Sequence, residues 1–562
     1  MDHSRILSAL VGQGYFPKEL PPTFTTTSFG QHVIAILKDW KCDKIYSIDD
    51  KYRLKKTKKK KAGSYTYKLP YTDAEIISMP KKGFERRFLH ITHPVPQALL
   101  SYEIARHWRR IAGWLLRQHF SVDEFHISAK HPRALKDINF KLHNAKKAFI
   151  EATSDWLVST DIARFYPSIY THSIAWAAYG KEKVKANLSL YEGSLADRLD
   201  ALVRACNRNQ TVGIPIGPET SRIIANIISA RIDDDFHKAM KDNHDPARID
   251  RLQDDWFIGV DSLEKAETIL ANISAIYRSY SLEINGSKTS IAHILGKDSS
   301  EWSAEIGAFL AHRRGSLRGG RLRELLNLGL RLQRNFPSEP VLNYVLSIVE
   351  AHPVDHNDIE TIESFLLKAA TVSQASLEQI CRMIISLQHE AKKLAVKRIA
   401  ARFTQIAEGA LEKGHLFEVL WLLYTIRGIK RPICSKRIAE LSEITPSSTL
   451  ALLLLDMRSR NIFINSLPTA SWESQVTPDR IRSDWIWLLG YEGIRNGWLN
   501  DRMNAMNDPF FRALNKFNVS FYDRQRNIMA SKAYVRQRQI SQKLNFQALQ
   551  RLMLTLRGFT SF

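Results

Sequence analysis

The segment Trp156-Leu-Val-Ser-Thr-Asp161-Ile-Ala-Arg-Phe-Tyr166-Pro167 joins a short apolar run to a lone carboxylate. Two aromatics and a proline follow, and the proline disfavours helix just before it. The pattern predicts a buried strand that delivers Asp161 to its end. A second acidic stretch, Arg248-Ile-Asp-Arg-Leu-Gln-Asp254-Asp255-Trp-Phe-Ile-Gly-Val260, has two strand-like runs around an Asp-Asp pair, which suits a hairpin turn. Three carboxylates brought together repel one another unless a cation lies between them. Such oxygen-rich clusters suit Mg²⁺, held by a few carboxylates and substrate phosphates. Two metals of this kind stabilise the attacking and leaving oxygens of a phosphoryl transfer.

Asp161-Ile-x-x-Phe-Tyr-Pro-Ser-Ile169 resembles motif A of reverse transcriptases, Gly213-Ile-Pro-Ile-Gly217-Pro motif B, Asp254-Asp255 motif C and Leu282-Glu-Ile-Asn-Gly-Ser-Lys288-Thr motif D. Upstream, Pro80-Lys-Lys-Gly and Arg87-Phe-Leu-His-Ile-Thr-His-Pro94 resemble the fingers segment. Gly14-Tyr-Phe-Pro-Lys-Glu-Leu-Pro-Pro22-Thr-Phe24 is similar to an N-terminal signature of the bacterial abortive-infection branch. The fold expected is α+β: right-hand polymerase fingers (1–150) and palm (151–312), then an all-α, HEAT-like helical repeat domain (313–562).

The resemblance implies roles residue by residue. Asp161, Asp254 and Asp255, with the Ile162 backbone carbonyl, would hold Mg²⁺. Arg87, with Arg86 as competitor, would grip the triphosphate. Tyr166 would exclude a 2′-hydroxyl, Gly213, Pro215 and Gly217 would line the nucleotide site, and Lys288 would protonate departing pyrophosphate. It further implies dNTPs as substrates, untemplated synthesis of single-stranded DNA grown from a protein hydroxyl, a homo-oligomer, and phage defence in the bacterial cytoplasm. Tyr15 is the candidate primer, with Tyr46, Tyr65 and Tyr67 competing. Two positions depart from the family: Leu252 replaces an aromatic before the Asp pair, and Ile216 replaces a glutamine facing the nascent base pair. An isoleucine offers that pair no hydrogen bond, which argues against a template-copying enzyme of the retron or intron kind. A catalytically silent nucleic-acid scaffold is the third reading, and retention of all three carboxylates argues against it.

Composition agrees with a polyanionic partner. Of 562 residues, 81 are Lys or Arg against 58 Asp or Glu, giving +23. A 44% hydrophobic content permits a sizeable core. Cys42, Cys206, Cys381 and Cys434 are too dispersed for a zinc pattern or disulfide framework, so a reducing compartment is expected. No apolar run approaches the roughly 20 residues of a membrane span. A lysine-rich run, Lys51 to Lys61, is followed by Tyr65, Tyr67 and Tyr71, and the tail after Phe521 is basic; both suit nucleic-acid contact. Helical periodicity is expected over Ala98–Phe120, with Leu99, Ile104, Ile111 and Leu115 inward, and in runs such as Ala391–Ala407 beyond a glycine-rich hinge at Arg313–Arg321. Arg382 and His389 have loose Arg-x-His nuclease spacing and read better as a helix-surface pair.

Overall fold

The computed structural model describes residues 2–40, 71–81, 85–129, 131–136, 138–240, 248–296, 301–312, 317–352, 354–391 and 394–528. Residues 41–70, with Tyr46, Tyr65, Tyr67 and the lysine run, lie outside the described residues, as do 313–316 of the hinge and the basic tail from 529.

The palm is a four-stranded antiparallel sheet. Strands β3 (Trp156–Thr160), β4 (Ile249–Leu252), β5 (Asp255–Val260) and β6 (Ser290–His293) lie in the order β4-β5-β3-β6. Ahead of them β1 (Glu75–Pro80) and β2 (Arg86–Ile91) form a separate hairpin. Residues paired across β3 and β5 share a face: Val158 with Ile258 and Thr160 with Trp256 on one side, Leu157 with Gly259 and Ser159 with Phe257 on the other. Helix Phe140–Ala152 covers the second side, where Ile150 packs on Leu157 and Phe257. On the first side Ile269, Ile273 and Tyr277 of helix Leu263–Ser279 are buried with Val158 and Ile258. Both faces are covered, which explains the near-continuous apolar run from Trp256 to Val260.

After the palm the chain is helical, from Glu301–His312 to Pro509–Lys516. Its apolar runs give helices Ile359–Val372, Leu416–Gly428 and Ser448–Ser459. Two sequence expectations need correction. The single helix over Ala98–Phe120 is two, Pro94–Arg106 and Trp108–Leu115, broken where His107 leaves helical geometry (φ −107°, ψ 21°). The run Ala391–Ala407 spans the end of helix Leu377–Ala391 and most of helix Val396–Glu412, because Ala395 leaves helical geometry and donates its N–H to Glu363 (2.8 Å). Arg382 is no surface residue either: it is buried against Glu350, at 2.8 and 3.0 Å.

Fingers and N-terminus are both stitched to this helical region. Buried Glu75 of β1 accepts from the Ser447 and Thr449 hydroxyls (both 2.6 Å) at the start of helix Ser448–Ser459. Arg86 of β2 makes a two-pronged pair with Glu418, both bonds 2.8 Å. The proline-rich segment threads between motif B and the helices. Trp421 donates its indole N–H to the Glu19 carbonyl (2.9 Å), Thr25 N–H bonds Phe521 O (3.0 Å), and Phe24 bridges to Tyr522.

Candidate active site

Strand β3 ends at Thr160, so Asp161 stands one step past the Thr160–Trp256 register pair, opposite Asp255. Asp254 occupies the β4–β5 turn beside Gln253, whose left-handed φ of 58° lets the hairpin close. Arg251 of β4 fixes that turn. Its guanidinium is buried, pairs with buried Asp233 on helix Glu219–Ala239 (2.5 and 2.9 Å), and donates to the Gln253 carbonyl (2.5 Å). Sequence reasoning missed Arg251 and Asp233, because a positioning pair 18 residues apart carries no motif.

The three carboxylates converge. Asp161 is 4% exposed, and the Asp254 carboxyl lies against it. Burial first, then the contact with Asp161 and the charges of Asp161 and Asp255, push the Asp254 carboxyl up to about 8. Burial and Asp161 also raise Asp255, against Lys288, Lys147 and Lys81.

Motif D closes the other edge. Asn285 bonds the Asp161 carbonyl through its N–H (2.7 Å), and the Thr289 hydroxyl meets that of Thr160 (2.9 Å). This turn holds the Lys288 ammonium on Asp161 Oδ2. Burial opposes the lysine's charge, but Asp161, with Asp255 and Asp254, holds it above its ordinary range.

Motif B is bonded to the turn that follows Asp161. Gly213 N–H reaches Ile169 O (2.8 Å) and Ile214 N–H reaches Tyr166 O (3.0 Å). Gly213 has φ 86°, and a Cβ there would lie 3.2 Å from Pro167 O, so this close approach requires glycine. Tyr166 is half-buried; burial raises its phenol, and Arg222, Asp254, Glu219 and Arg87 are near enough to act on it. Arg87 is exposed and has no hydrogen-bond partner among the described residues, whereas the competing Arg86 is committed to Glu418. The fingers reach motif B through His90, which exchanges hydrogen bonds with the Ile216 backbone at 2.8 and 3.1 Å.

Of the other expected site residues, Pro215 is buried. Gly217 does allow a close approach, but the approaching group is Pro17, whose Cγ would lie 2.5 Å from an added Cβ. Tyr15 cannot present an exposed hydroxyl: it is fully buried, donates to the Thr92 carbonyl (2.5 Å), and packs on Phe16, Phe29 and Phe521.

The donors present fit a hard divalent cation. Asp161 Oδ1 is buried without a hydrogen-bond partner, and the Ile162 carbonyl has none among the described residues, since the bridge to Ile284 bonds its neighbours instead. Among the described residues no group of three or more His, Cys, Asp or Glu side chains is arranged to hold a metal ion by itself. Mg²⁺ is commonly held by one or two carboxylates, with water and substrate phosphates completing its shell.

Among solved structures the chain is similar to telomerase from Candida tropicalis in complex with a TWJ fragment of telomeric RNA (13% identity, 68% of this chain and 64% of that one, TM-score 0.28). It is similar too to the corresponding complex from Candida albicans (12%, 67% and 64%, 0.26) and to apo telomerase from Candida tropicalis (12%, 68% and 68%, 0.29). The chain thus spans about 64% of the length of the first of these. No curated protein matches it. Residues 106–332, which hold the three carboxylates, motif B and Lys288, match the family model described as reverse transcriptase (RNA-dependent DNA polymerase), so the chain carries a reverse transcriptase domain.

Proposed function

We propose that this protein is a DNA polymerase of reverse-transcriptase type that adds dNTPs by nucleotidyl transfer, without a template and from a protein hydroxyl, in abortive-infection defence against phage. The observation that carries the polymerase reading is the convergence of Asp161, Asp254 and Asp255, with a buried, unpartnered oxygen on Asp161. These residues and the Ile162 carbonyl would hold Mg²⁺, which when bound supplies charge stabilisation at the attacking and leaving oxygens. Arg87, exposed on β2, would fork onto a triphosphate. Tyr166 would be the steric check on a 2′-hydroxyl. Lys288, kept protonated beside Asp161, is the proton donor for departing pyrophosphate.

The finer reading rests on Ile216, which offers a template–substrate pair no hydrogen bond, and on the likeness of Gly14–Phe24 to the abortive-infection signature. With Tyr15 buried, Tyr46, Tyr65 and Tyr67 remain the primer candidates. The bacterial cytoplasm and a homo-oligomer follow from the same likeness. Among the described residues no helix is long and apolar enough to cross a membrane.

The test is incubation of purified protein with labelled dNTPs and Mg²⁺, with no primer or template, followed by a denaturing gel. Label that travels with the protein, is released by protease and is lost in Asp254→Ala supports protein priming. Label only after addition of primer and template supports the template-copying alternative, which the description of the matched family favours. No label under either condition supports the silent scaffold.

A further inference from the structure

Away from the carboxylates, the segment between motifs A and B builds a second surface. Helices Ser173–Tyr179 and Lys181–Ala186 meet at Gly180, whose φ of 97° turns the chain sharply. The turn sets the Lys181 and Lys185 ammoniums over one indole, Trp176, at 4.7 and 5.8 Å from its ring centre. Burial first, then the charge of Lys185, lowers the Lys181 ammonium's hold on its proton, and neither lysine has a carboxylate within ion-pair range among the described residues. Beside them the exposed Arg110 guanidinium lies 5.5 Å over Tyr179, which stacks on Tyr191 at 5.1 Å. Leu188 and Leu190 stand 68% and 66% exposed next to this cluster.

The surface is continuous with motif B. Tyr170 packs on Trp176 (5.5 Å) and pairs by a backbone bridge with Val212, itself 57% exposed, one residue before Gly213. Lys181 is held by the Ser279 carbonyl, but Lys185 and Arg110 stand in no ion pair among the described residues, and the Trp176 and Tyr179 rings are half-buried with one edge towards solvent. A single nucleic-acid strand satisfies both kinds of group, its phosphates taking the cations and its bases the rings.

We propose that Arg110, Tyr170, Trp176, Tyr179, Lys181 and Lys185 form a track for a single nucleic-acid strand leading away from motif B. Identifying that strand as the product rests on the polymerase reading; binding itself does not.

The experiment is fluorescence anisotropy of a labelled oligo-dT with the full chain, without dNTPs, across a salt series. Lys181→Glu with Lys185→Glu should weaken binding at least tenfold and reduce the salt slope by about 1.4, from two lost phosphate contacts. Trp176→Ala should weaken binding about tenfold with the slope unchanged, and Trp176→Phe should retain most of it. Both lysines are on the surface, so the double substitution tests the proposal even if Trp176→Ala fails to fold. Unchanged affinity and slope in that folded double variant would overturn the track. Preferential capture of anionic lipid vesicles over oligo-dT would overturn it as well. Loss of oligo-dT binding with retained dNTP labelling, or the reverse, separates the track from the polymerase.

Discussion

The β4–β5 hairpin has an acidic group at each end, and the two ends are treated differently. Asp250, inside β4, meets His143 at 2.8 Å, with Lys146 at 3.8 Å and Asp123 on the far side of the imidazole at 3.4 Å. There two carboxylates face an imidazolium and an ammonium. At the turn, among the described residues, Asp254, Asp255 and Asp161 share one closely bound ammonium, that of Lys288. The first cluster is compensated by the chain; the second leaves negative charge in excess, and the Asp254 carboxyl climbs to about 8 as a result. Buried carboxylates alone therefore do not mark a site. Carboxylates that the fold gathers and leaves under-neutralised do, because something outside the chain must complete them.

The sharpest way to break this contrast is substitution at each end. Asp254→Ala should lower dNTP incorporation by at least about a thousandfold, roughly 4 kcal/mol of barrier, while thermal unfolding without Mg²⁺ is unchanged or moves upward. Comparable loss of melting temperature and activity would show that Asp254 is structural after all. Next in size, Arg251→Met should destabilise the protein by about 3 kcal/mol or more, since it strands Asp233 as a buried, unpaired charge. Arg251→Met with Asp233→Leu should recover most of that stability, though not the turn geometry, because the Gln253 carbonyl loses its donor in both variants. Recovered stability together with recovered activity would remove Arg251 as a positioning residue for Asp254.

What could be read in advance follows the same division. Asp161, Asp254, Asp255 and Lys288 stand in short local motifs, each at a strand end or turn with its own sequence signature, and the structure gathers all four. Strand β3 was legible for the same reason: an apolar run and proline placement are local. His143 with Asp250 was invisible, since the partners lie 107 residues apart and an isolated histidine announces nothing. Tyr15 was misread for the converse reason. It stands at the head of a proline-rich lead-in that reads as surface, but its packing partner Phe521 lies at the other end of the chain. Gly217 illustrates a third limit: sequence can say that something must approach closely, but not whether that is a nucleotide or Pro17.

The smallest expected effect is the most discriminating, because it reads both ends of the hairpin in one titration. Burial works against a charged His143, yet its contacts with Asp123 and Asp250 raise it from 6.5 to about 8. The charged imidazole therefore contributes stability that is fully present below pH 6.5 and lost as pH rises through 8, about 2 kcal/mol in all. Asp254 acts in the same direction for the opposite reason. Its carboxyl resists ionising, so stability falls as pH climbs from its ordinary 3.8 towards 8. Unfolding midpoints should thus drop across the neutral range in the metal-free protein. Mg²⁺ should flatten the Asp254 part, since a cation at the turn offsets the repulsion, and leave the His143 part in place. His143→Gln should do the reverse. A pH slope that Mg²⁺ abolishes entirely, or one that His143→Gln leaves untouched, would mean that the Asp250 end is not held by a charged imidazole, and the contrast between the two ends would fail.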